Sequence, residues 1–450
     1  MVYSNNKKDI FIKELQDGLC FAFNYAHPSG VKIISKRAAI RLNDIKNNGH
    51  EVDIRSQIDQ SLNKSGLLGA KENKENIVNR LSVWLHIVNA CNLSCHYCYI
   101  QNIKKVAGHD VVQRMSMQSE DVNKTVARLI NYCEVEKIEY LHIKFAGGEP
   151  TLNIYAIGQF CEELERVKGN VVVSYGMISN GVFDSELVMP AIKDFDFTFS
   201  ISLDGCKDSH DSIRFQVKDK TRIGTWNIIW SNIEKLLSYE MPPYLLYTVT
   251  PNNYLEVKQF SKIAHGFNLG FRLSLERKKR IYPFELQKAI SKQLCSLYED
   301  FGHSLDYNLP VGRYARFSEW NLNKKKHVAC SAGRNYFAID EKGGVSTCQM
   351  GMDTKYGNIR TDDIGVSISK MRSIDLRKQI ADPSLRNGVC TKCEYYHVCA
   401  GGCPEHTKKA YGTTETTSPW CYVYGTLVPV YLESVANQMI RKIKSKVTTC

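Results

Sequence analysis

Short runs of apolar residues recur through the middle of the chain and alternate with amphipathic stretches. The apolar runs predict buried β-strands at 82–88, 140–145, 171–178, 197–203, 244–250 and 271–275. The amphipathic stretches predict α-helices, with examples at 119–135, 154–167, 225–238 and 255–266. Six strands alternating with helices predict an α/β fold with a parallel sheet, either open or curled into a partial barrel. In such sheets the site lies at the carboxyl ends of the strands.

The first 80 residues follow a different pattern. Apolar strands at 19–25 and 31–35 flank the turn sequence HPSG at 27–30, which indicates a hairpin. Helical stretches are expected at 36–46 and 53–63, and the polar segment 71–79 is typical of a linker. The sequence therefore predicts a small domain over 1–80, followed by the barrel core over 81–310.

The composition indicates a water-soluble protein with a basic surface. The chain has 450 residues and a net charge of +12. It has no apolar run of the roughly 18 residues that a membrane span needs, and its first residues lack the apolar core of a secretory signal. The basic runs 277–280 and 323–326 are short and lack interleaved aromatic residues. We therefore expect a cytoplasmic protein that binds neither membrane nor nucleic acid.

Three of the sixteen cysteines, Cys91, Cys95 and Cys98, lie on one short segment directly after the first predicted barrel strand. A structural zinc site has four closing ligands, usually as paired C-x2-C or H-x3-H units. Three thiolates on one loop instead suit a cubane iron–sulfur cluster whose fourth iron stays open. Tyr97, next to the last cysteine, is expected to shield such a cluster from water. A zinc loop with a distant fourth ligand remains the alternative.

The segment CNLSCHYC (91–98) resembles the C-x3-C-x2-C motif of the radical S-adenosylmethionine (SAM) superfamily. This resemblance implies a partial (β/α)6 TIM-like barrel. It also implies that the open iron of a [4Fe–4S] cluster chelates the amino and carboxylate groups of SAM. Reduction of the cluster in that family cleaves SAM to a 5′-deoxyadenosyl radical, which abstracts a hydrogen atom.

Further motifs follow the next strands. AGGEPTL (146–152) resembles the family's GGE motif, which binds the SAM amino group, and ISNG (178–181) resembles a TNG element. SLDG (202–205) with HDSIR (210–214) resembles a segment of the peptide-modifying members. In this interpretation Ser202 contacts the ribose or carboxylate of SAM and Arg214 pairs with the carboxylate, unless both have only local structural roles. The implied cofactor-binding residues are Gly147, Gly148, Glu149, Pro150, Ser179, Asn180, Ser202, Asp204 and Arg214.

Seven further cysteines lie toward the C-terminus, and their spacing is similar to that of the SPASM domain of radical SAM peptide maturases. The resemblance implies two auxiliary [4Fe–4S] clusters, with a zinc ribbon over 390–403 as the alternative. The first auxiliary set would be Cys330, Cys348 and Cys403, and the second set would be Cys390, Cys393, Cys399 and Cys421. The SPASM domain is expected over 311–425, followed by a C-terminal segment over 426–450 whose helix spans about 424–446.

Two positions depart from related enzymes. Related maturases often place a fourth cysteine where this chain has Tyr336. The first auxiliary cluster then has an open iron for a substrate thiolate, or a fourth ligand from elsewhere in the chain. Anaerobic sulfatase maturases place a catalytic Asp where this chain has Gln349, and an amide cannot act as a general base. This weighs against sulfatase maturation, although the nearby Asp353 keeps it open.

The N-terminal hairpin and helices resemble the winged-helix-like peptide-recognition domain of ribosomal-peptide (RiPP) maturases, which binds a leader peptide as an added strand. A structural cap on the barrel is the alternative. Together, the resemblances imply a maturase that installs a thioether, carbon–carbon or ether crosslink. Its expected partners are a precursor peptide with a leader sequence and an electron donor such as ferredoxin or flavodoxin. The alternatives are an anaerobic sulfatase maturase, another SPASM peptide oxidase and, more distantly, a zinc-bearing nucleic-acid-binding protein.

Overall fold

The structure is a computed structural model, and it describes most but not all of the chain. The described residues are 10–15, 18–24, 31–48, 52–53, 55–68, 79–100, 104–105, 112, 114–303, 316–317, 330–373, 389–393 and 395–448. They fall into two compact units. The barrel unit comprises 75–279 and 330–377, and the terminal unit comprises 1–74, 280–329 and 378–450. The predicted turn at 27–30, nearly all of the linker at 71–79 and the boundary at 310 lie outside the described residues.

The terminal unit begins with a small antiparallel sheet and two helices. Their bounds are β1 (Ile10–Glu14), β2 (Leu19–Asn24), β3 (Lys32–Ser35), α1 (Lys36–Asn48) and α2 (Gln57–Lys64). The strand order is β1-β2-β3, so the predicted hairpin pairs as expected and β1 is an additional strand. Ile10, Ala22, Leu42 and Leu62 share one apolar core beneath the sheet. Helix α2 begins at Gln57 because the Ser56 side chain accepts the backbone N–H of Asp59.

The barrel unit contains the predicted strands and helices in chain order. The bounds are β4 (Arg80–Val88), β5 (Ala90–Cys91), β6 (Lys104–Lys105), α3 (Ser119–Val135), β7 (Tyr140–Gly147), α4 (Ile154–Val167), β8 (Val172–Ser179), α5 (Ser185–Ile192), β9 (Phe197–Ser202), α6 (Lys207–Ile213), β10 (Phe215–Lys218), β11 (Thr221–Gly224), α7 (Trp226–Ser238), β12 (Tyr244–Val249), α8 (Val257–Gly266) and β13 (Phe271–Leu275). The six predicted strands and the four predicted helices are all present. The hairpin β10–β11 and helices α5 and α6 are additions to the predicted pattern.

The six predicted strands form one parallel sheet in the order β4-β7-β8-β9-β12-β13. Each strand therefore lies beside the strand that precedes it among the six, as expected when helices connect parallel neighbours. The carboxyl ends of β4, β7, β8 and β9 consequently meet at one edge of the sheet. The predicted α/β class with a mostly parallel sheet is confirmed.

Three later strands, β15, β16 and β17, extend this sheet beyond β4. The remaining elements are α9 (Phe284–His303), β14 (Arg316–Phe317), β15 (Tyr336–Ile339), β16 (Gly344–Ser346), β17 (Gly357–Asn358), α10 (Ile364–Ser373), α11 (Val389–Lys392), α12 (Tyr396–Cys399), α13 (Pro404–Tyr411) and α14 (Cys421–Thr448). Strand β15 pairs in parallel with β4, and β16 and β17 continue the sheet in antiparallel pairing. Residues 330–373 thus pack as part of the barrel unit.

Helices α9 and α14 pack against each other within the terminal unit. Tyr298 lies edge-on to Tyr431 with ring centroids 4.9 Å apart, and the Gln438 amide donates to the Phe301 carbonyl at 3.2 Å. Helix α14 corresponds to the predicted C-terminal helix. Within the described part of the chain, no helix combines the length and the apolar character that crossing a membrane requires.

Candidate active site

One cavity of about 330 Å³ opens at the carboxyl ends of the barrel strands. Its volume lies at the lower end of the range of about 300–1,000 Å³ that is usual for small-molecule sites. The strand ends and the loop after β4 supply most of its wall. The predicted site residues that line the cavity are Cys91, Cys95, Cys98, Gly147, Gly148, Ser179, Asn180, Ser202 and Arg214.

The segment that carries the three cysteines is fixed by backbone hydrogen bonds to the segment that joins α6 to β10. The Ser94 N–H donates to the Phe215 carbonyl at 2.8 Å, and the His96 N–H donates to the Ile213 carbonyl at 3.2 Å. The His96 and Phe215 rings also lie edge-to-face at 5.1 Å. The thiol loop is therefore held in place by a part of the chain that is more than a hundred residues away in sequence.

The three thiols fit an iron–sulfur cluster better than a single metal ion. Burial raises the pKa of the Cys91 thiol to about 12 and also raises the pKa of Cys95, whereas Cys98 is exposed. A metal or cluster removes such thiol protons when it binds. Within the described residues, no three His, Cys, Asp or Glu side chains converge as a ready-made cage for one ion. Zinc would need all of its thiolates within about 2.3 Å of a single point. The thiols instead lie around a shared cavity, which suits a larger group.

Gly147, the last residue of β7, and Gly148 allow this strand end to lie directly against the backbone at residues 88–90. Gly147 has φ of +141°, and a Cβ there would overlap the Val88 carbonyl. A Cβ on Gly148 would overlap the Ala90 carbonyl. The Gly148 N–H donates to the Val88 carbonyl at 3.0 Å, which closes this contact. Only glycine fits at these two positions.

The side chain of Glu149 lies behind the cavity wall. Its carboxylate is fully buried and accepts the Thr151 hydroxyl at 2.7 Å, the Ser179 hydroxyl at 2.8 Å and the Asn180 N–H at 2.7 Å. Burial raises the pKa of this carboxyl group, and the hydrogen bonds oppose that rise. In the structure, Glu149 therefore ties the end of β7 to the end of β8 and is not among the residues that line the cavity. Pro150, which starts a short 3-10 helix, is also outside the lining.

A buried ion pair lies beside the cysteine loop. The Asp204 carboxylate accepts the Arg214 Nε–H at 2.6 Å and the Thr248 N–H at 2.7 Å, and it also accepts the Tyr97 hydroxyl. Arg214 Nη2 donates to the Tyr97 oxygen, and Arg214 Nη1 lies 3.7 Å from the Cys95 sulfur. The neighbouring anionic groups hold the pKa of Arg214 well above its ordinary value, although burial acts in the opposite direction. Asp204 is thus engaged by Arg214, and the Nε and Nη2 atoms of Arg214 are occupied.

Asn180 links the end of β8 to the cysteine loop. Its side-chain nitrogen donates to Asn92 Oδ1 at 2.8 Å and lies 3.8 Å from the Cys91 sulfur. Asn92 in turn donates to the Val182 carbonyl at 2.8 Å. The predicted residue Asn180 therefore reaches the cavity as an organiser of the thiol loop. Ser202 lines the cavity at the end of β9.

The polar or aromatic cavity residues Trp84, His86 and Tyr99 were not singled out from the sequence. Burial lowers the pKa of His86 to about 4, so its imidazole is neutral at physiological pH. His86 is a polar residue in the otherwise apolar end of β4, and that interruption was a usable signal. Tyr99 follows the last cysteine of the loop directly, and burial raises its pKa to about 12.

The second auxiliary set of cysteines comes together within the terminal unit. Burial raises the pKa of Cys399 to about 12, and the nearby Cys390, Cys393 and Cys421 also raise it. The Gly401 N–H donates toward the Cys399 sulfur at 3.4 Å. Residues 400–402 all have positive φ, and the Ala400 and Gly402 N–H groups donate to the carbonyls of Tyr396 and Cys399.

The first auxiliary set is divided between the two units. Cys330 and Cys348 belong to the barrel unit, and Cys403 belongs to the terminal unit. Tyr336 lies on β15 near both barrel cysteines, which contribute to raising its pKa, although burial is the larger cause. Its ring meets Trp84 edge-on at 5.8 Å. Its hydroxyl lies near the Gln349 N–H but makes no hydrogen bond of ordinary geometry with any described residue.

These features define a class of protein: an α/β enzyme with a mostly parallel sheet, in which thiols and close-packed backbone surround a cofactor-sized cavity at the carboxyl ends of the strands. Residues 85–262 match the family description "Radical SAM superfamily". The chain therefore contains a radical SAM domain, which confirms the resemblance seen in the cysteine motif.

Relatives and solved structures agree with this assignment. A cysteine-type anaerobic sulfatase-maturating enzyme of Clostridium novyi is 25% identical over 340 residues, covering 70% of this chain and 84% of that enzyme. The radical SAM cyclopropyl synthase TigE of Paramaledivibacter caminithermalis is 24% identical over 397 residues, covering 82% of this chain and 78% of the synthase. The solved structure of native anSMEcpe with bound AdoMet has a TM-score of 0.63 at 18% identity, covering 79% of this chain and 98% of that chain. The structural likeness shows a shared fold.

Proposed function

We propose that this radical SAM enzyme installs a crosslink in a ribosomally made precursor peptide. The observation that carries the proposal is the single cavity in which Cys91, Cys95 and Cys98 meet the glycine backbone after β7 and Ser202 after β9. Three thiolates would hold a [4Fe–4S] cluster there, and the adjoining space would hold SAM. When bound, these groups supply a 5′-deoxyadenosyl radical that abstracts a hydrogen atom from the peptide.

The protein's own residues hold and enclose the cofactors. The backbone at Gly147 and Gly148 would face the amino group of SAM, and Ser202 would face its ribose or carboxylate. Glu149 keeps the ends of β7 and β8 together and so fixes the glycine segment beside them. Cys91 and Tyr97 are buried, which limits the access of water on that side of the site and so limits side reactions of a radical.

The auxiliary cysteines would hold two more clusters that accept the electron left after bond formation. Cys390, Cys393, Cys399 and Cys421 would ligate one cluster completely. Cys330, Cys348 and Cys403 would ligate the other and leave one iron available to a substrate thiolate or to a further ligand. The crosslink would be a thioether if that iron binds a thiolate, and a carbon–carbon or ether bond otherwise.

The N-terminal sheet is the proposed leader-binding element of a winged-helix-like domain. A leader peptide would add to an edge of the sheet β1-β2-β3 through main-chain hydrogen bonds. The buried pair of Arg41 and Asp59, joined at 2.8 and 2.6 Å, fixes the helices against each other. The net positive charge of the chain favours an acidic leader. The reductant would be a small carrier such as ferredoxin or flavodoxin.

The first test is the iron, sulfide and zinc content of the anaerobically purified chain and of a variant with Cys91, Cys95 and Cys98 all replaced by Ala. Three cubanes predict about twelve irons per chain, falling to about eight in the variant. A wild-type content of about four irons together with zinc would remove the auxiliary clusters from the proposal.

The second test is activity on precursor peptides. The loaded enzyme, SAM and a reductant are incubated with a precursor carrying its leader and with the same core peptide alone. We expect 5′-deoxyadenosine and a product lacking two hydrogen atoms, formed only from the leader-bearing peptide. Equal conversion of both peptides would argue against leader recognition by this enzyme.

Sulfatase maturation is the second candidate, and the curated sulfatase-maturating relative is the observation that favours it. Gln349 argues against it because an amide cannot take the proton that a catalytic Asp would take. A sulfatase-derived peptide with its target cysteine is the test substrate. Oxidation of that single residue by the wild-type chain would establish this candidate, whereas activity only after Gln349→Asp would support the peptide-crosslinking function.

A further inference from the structure

We propose that Arg214 acts on the cysteine ligand of the cluster and not on the SAM carboxylate: its guanidinium donates to the Cys95 thiolate and so raises the reduction potential of the cluster. Arg214 is therefore a positioning and tuning residue of the proposed site. The inference rests on the proposed function, because it needs a cluster at the three cysteines.

The backbone places these two residues opposite each other. Hydrogen bonds join Ser94 to Phe215 and His96 to Ile213 at 2.8 and 3.2 Å. These bonds flank Cys95 on one segment and Arg214 on the other, as neighbouring bonds do in an antiparallel ladder. The backbone hydrogen bonds on either side of this pair therefore place the Arg214 guanidinium opposite the Cys95 thiol.

The side chain of Arg214 has little freedom to turn toward another anion. Its Nε is bonded to Asp204, its Nη2 to Tyr97, and its guanidinium lies 5.2 Å from the Tyr97 ring centroid. Asp204 is itself fully buried and held by the Thr248 N–H. Its remaining nitrogen, Nη1, lies 3.7 Å from the Cys95 sulfur. The side of the guanidinium that offers Nε and Nη2 together as a fork is therefore already taken by protein partners.

A chain of hydrogen bonds that starts at His210 in helix α6 supports the same arrangement. His210 Nδ1 accepts the Asp204 N–H at 3.1 Å, which leaves its Nε2 as the donor toward Thr225 Oγ1 at 3.2 Å. The Thr225 hydroxyl then donates to the Arg214 carbonyl at 3.0 Å. This chain of hydrogen bonds fixes the backbone on both sides of the ion pair.

The expected electrostatic effect has a definite sign. Reduction adds one negative charge to the cluster, and hydrogen bonds to ligand sulfurs stabilise the more negative state. The positive end of the Arg214–Asp204 pair faces the sulfur. Removing the donor should therefore make the cluster harder to reduce, even before SAM is bound.

The test measures the potential of the SAM-free, cluster-loaded full chain by a redox titration followed with EPR. The signal of the cluster at Cys91, Cys95 and Cys98 is isolated by subtracting the spectrum of the triple Ala variant. We expect Arg214→Gln to lower the ratio of reduced to oxidised cluster at least tenfold, which is a shift of about 59 mV for one electron. Arg222→Gln removes a guanidinium that lies 4.5 Å from the centroid of the Phe215 ring, and it should leave the potential unchanged.

SAM affinity measured on the same proteins separates the two roles. An unchanged potential in Arg214→Gln, with SAM binding weakened tenfold, would overturn the inference and return Arg214 to the SAM carboxylate. If Arg214→Gln fails to assemble the cluster, Arg214→Met supplies the measurement, because methionine has neither the charge nor the N–H donors of arginine. A wild-type potential in the methionine variant would likewise refute the inference. Iron content that does not fall in the triple Ala variant would instead refute the proposed cluster site itself.

Discussion

The carboxylate of Glu149 is expected to hold the barrel's strand ends together, and its removal tests that role directly. Glu149→Gln keeps the size of the side chain but replaces one carboxylate oxygen with an amide NH₂ group. All of the contacts seen at both oxygens come from donors, namely the hydroxyls of Thr151 and Ser179 and the N–H groups of Thr151 and Asn180. An amide hydrogen must therefore face another donor at one of these positions.

The size of the effect follows from these contacts. A hydrogen bond to a charged group contributes about 1.5–3 kcal/mol, and a buried donor left without an acceptor costs about 1–3 kcal/mol. Glu149→Gln loses one such bond, so we expect about 1–3 kcal/mol of local destabilisation. Glu149→Ala removes every acceptor from a fully buried position, and about 3–5 kcal/mol is expected by comparison with other broken buried charge networks.

Hydrogen–deuterium exchange at the ends of β7 and β8 measures the local opening free energy without assuming two-state unfolding. Glu120→Gln is the matched control, because that side chain is 79% exposed in its ion pair with Lys124. We expect faster exchange at both strand ends in the Glu149 variants and wild-type exchange rates in the Glu120→Gln control. Wild-type exchange in Glu149→Ala would refute the structural role and leave SAM binding as the reason for the motif.

Three further substitutions test other parts of the structure. His210→Gln should make the free energy of unfolding depend less on pH below about 6.5. Burial lowers the pKa of His210 in the folded protein to about 4, so the wild-type protein loses up to about 3 kcal/mol of stability as the pH falls from about 6.5 toward 4. Urea midpoints measured across that range report the loss. An unchanged dependence of the urea midpoint on pH would contradict this prediction. Gly148→Ala should abolish SAM binding in equilibrium dialysis, because its Cβ overlaps a backbone carbonyl, whereas Gly266→Ala meets nothing within 4 Å and should bind normally. Asp59→Asn breaks the bidentate pair between Asp59 and Arg41 and should speed hydrogen–deuterium exchange in the sheet β1-β2-β3 by the equivalent of about 2 kcal/mol. Unaltered exchange would show that the pair is dispensable.

Local patterns were sufficient for most of the barrel. Each of the six strands is an apolar run between amphipathic helices, and such a run predicts a buried strand whatever its neighbours in the fold. Strand β15 was not predicted because its partner β4 lies about 250 residues earlier, and no local pattern reports such a pairing. Strand β1 was missed because IFIKE is a short run whose partner, β2, had already been assigned to a hairpin.

The residues of the site were easier to identify than their roles. Cysteine spacing and glycine pairs are visible in the sequence because they are contiguous. The engagement of Arg214 by Asp204 and Tyr97 was not visible, because Tyr97 is 117 residues away and the contact depends on how two loops meet. The same holds for Glu149, whose partners Ser179 and Asn180 lie at the end of the next strand. Motif resemblance implied cofactor contacts for both residues, with a local role as the alternative for Arg214, and in the structure both side chains hydrogen-bond to protein partners.

This difference has a physical reason. A buried charge is costly unless it is paired and hydrogen-bonded, so the fold satisfies Asp204, Arg214 and Glu149 from within before any ligand arrives. A side chain whose polar atoms are already satisfied cannot also be the main contact of a ligand without breaking bonds of similar strength. Its remaining influence is on geometry and on the electric field around the ligand. For this site, that argument favours a structural role for the three buried charges, which hold the strand ends and the cysteine loop in place.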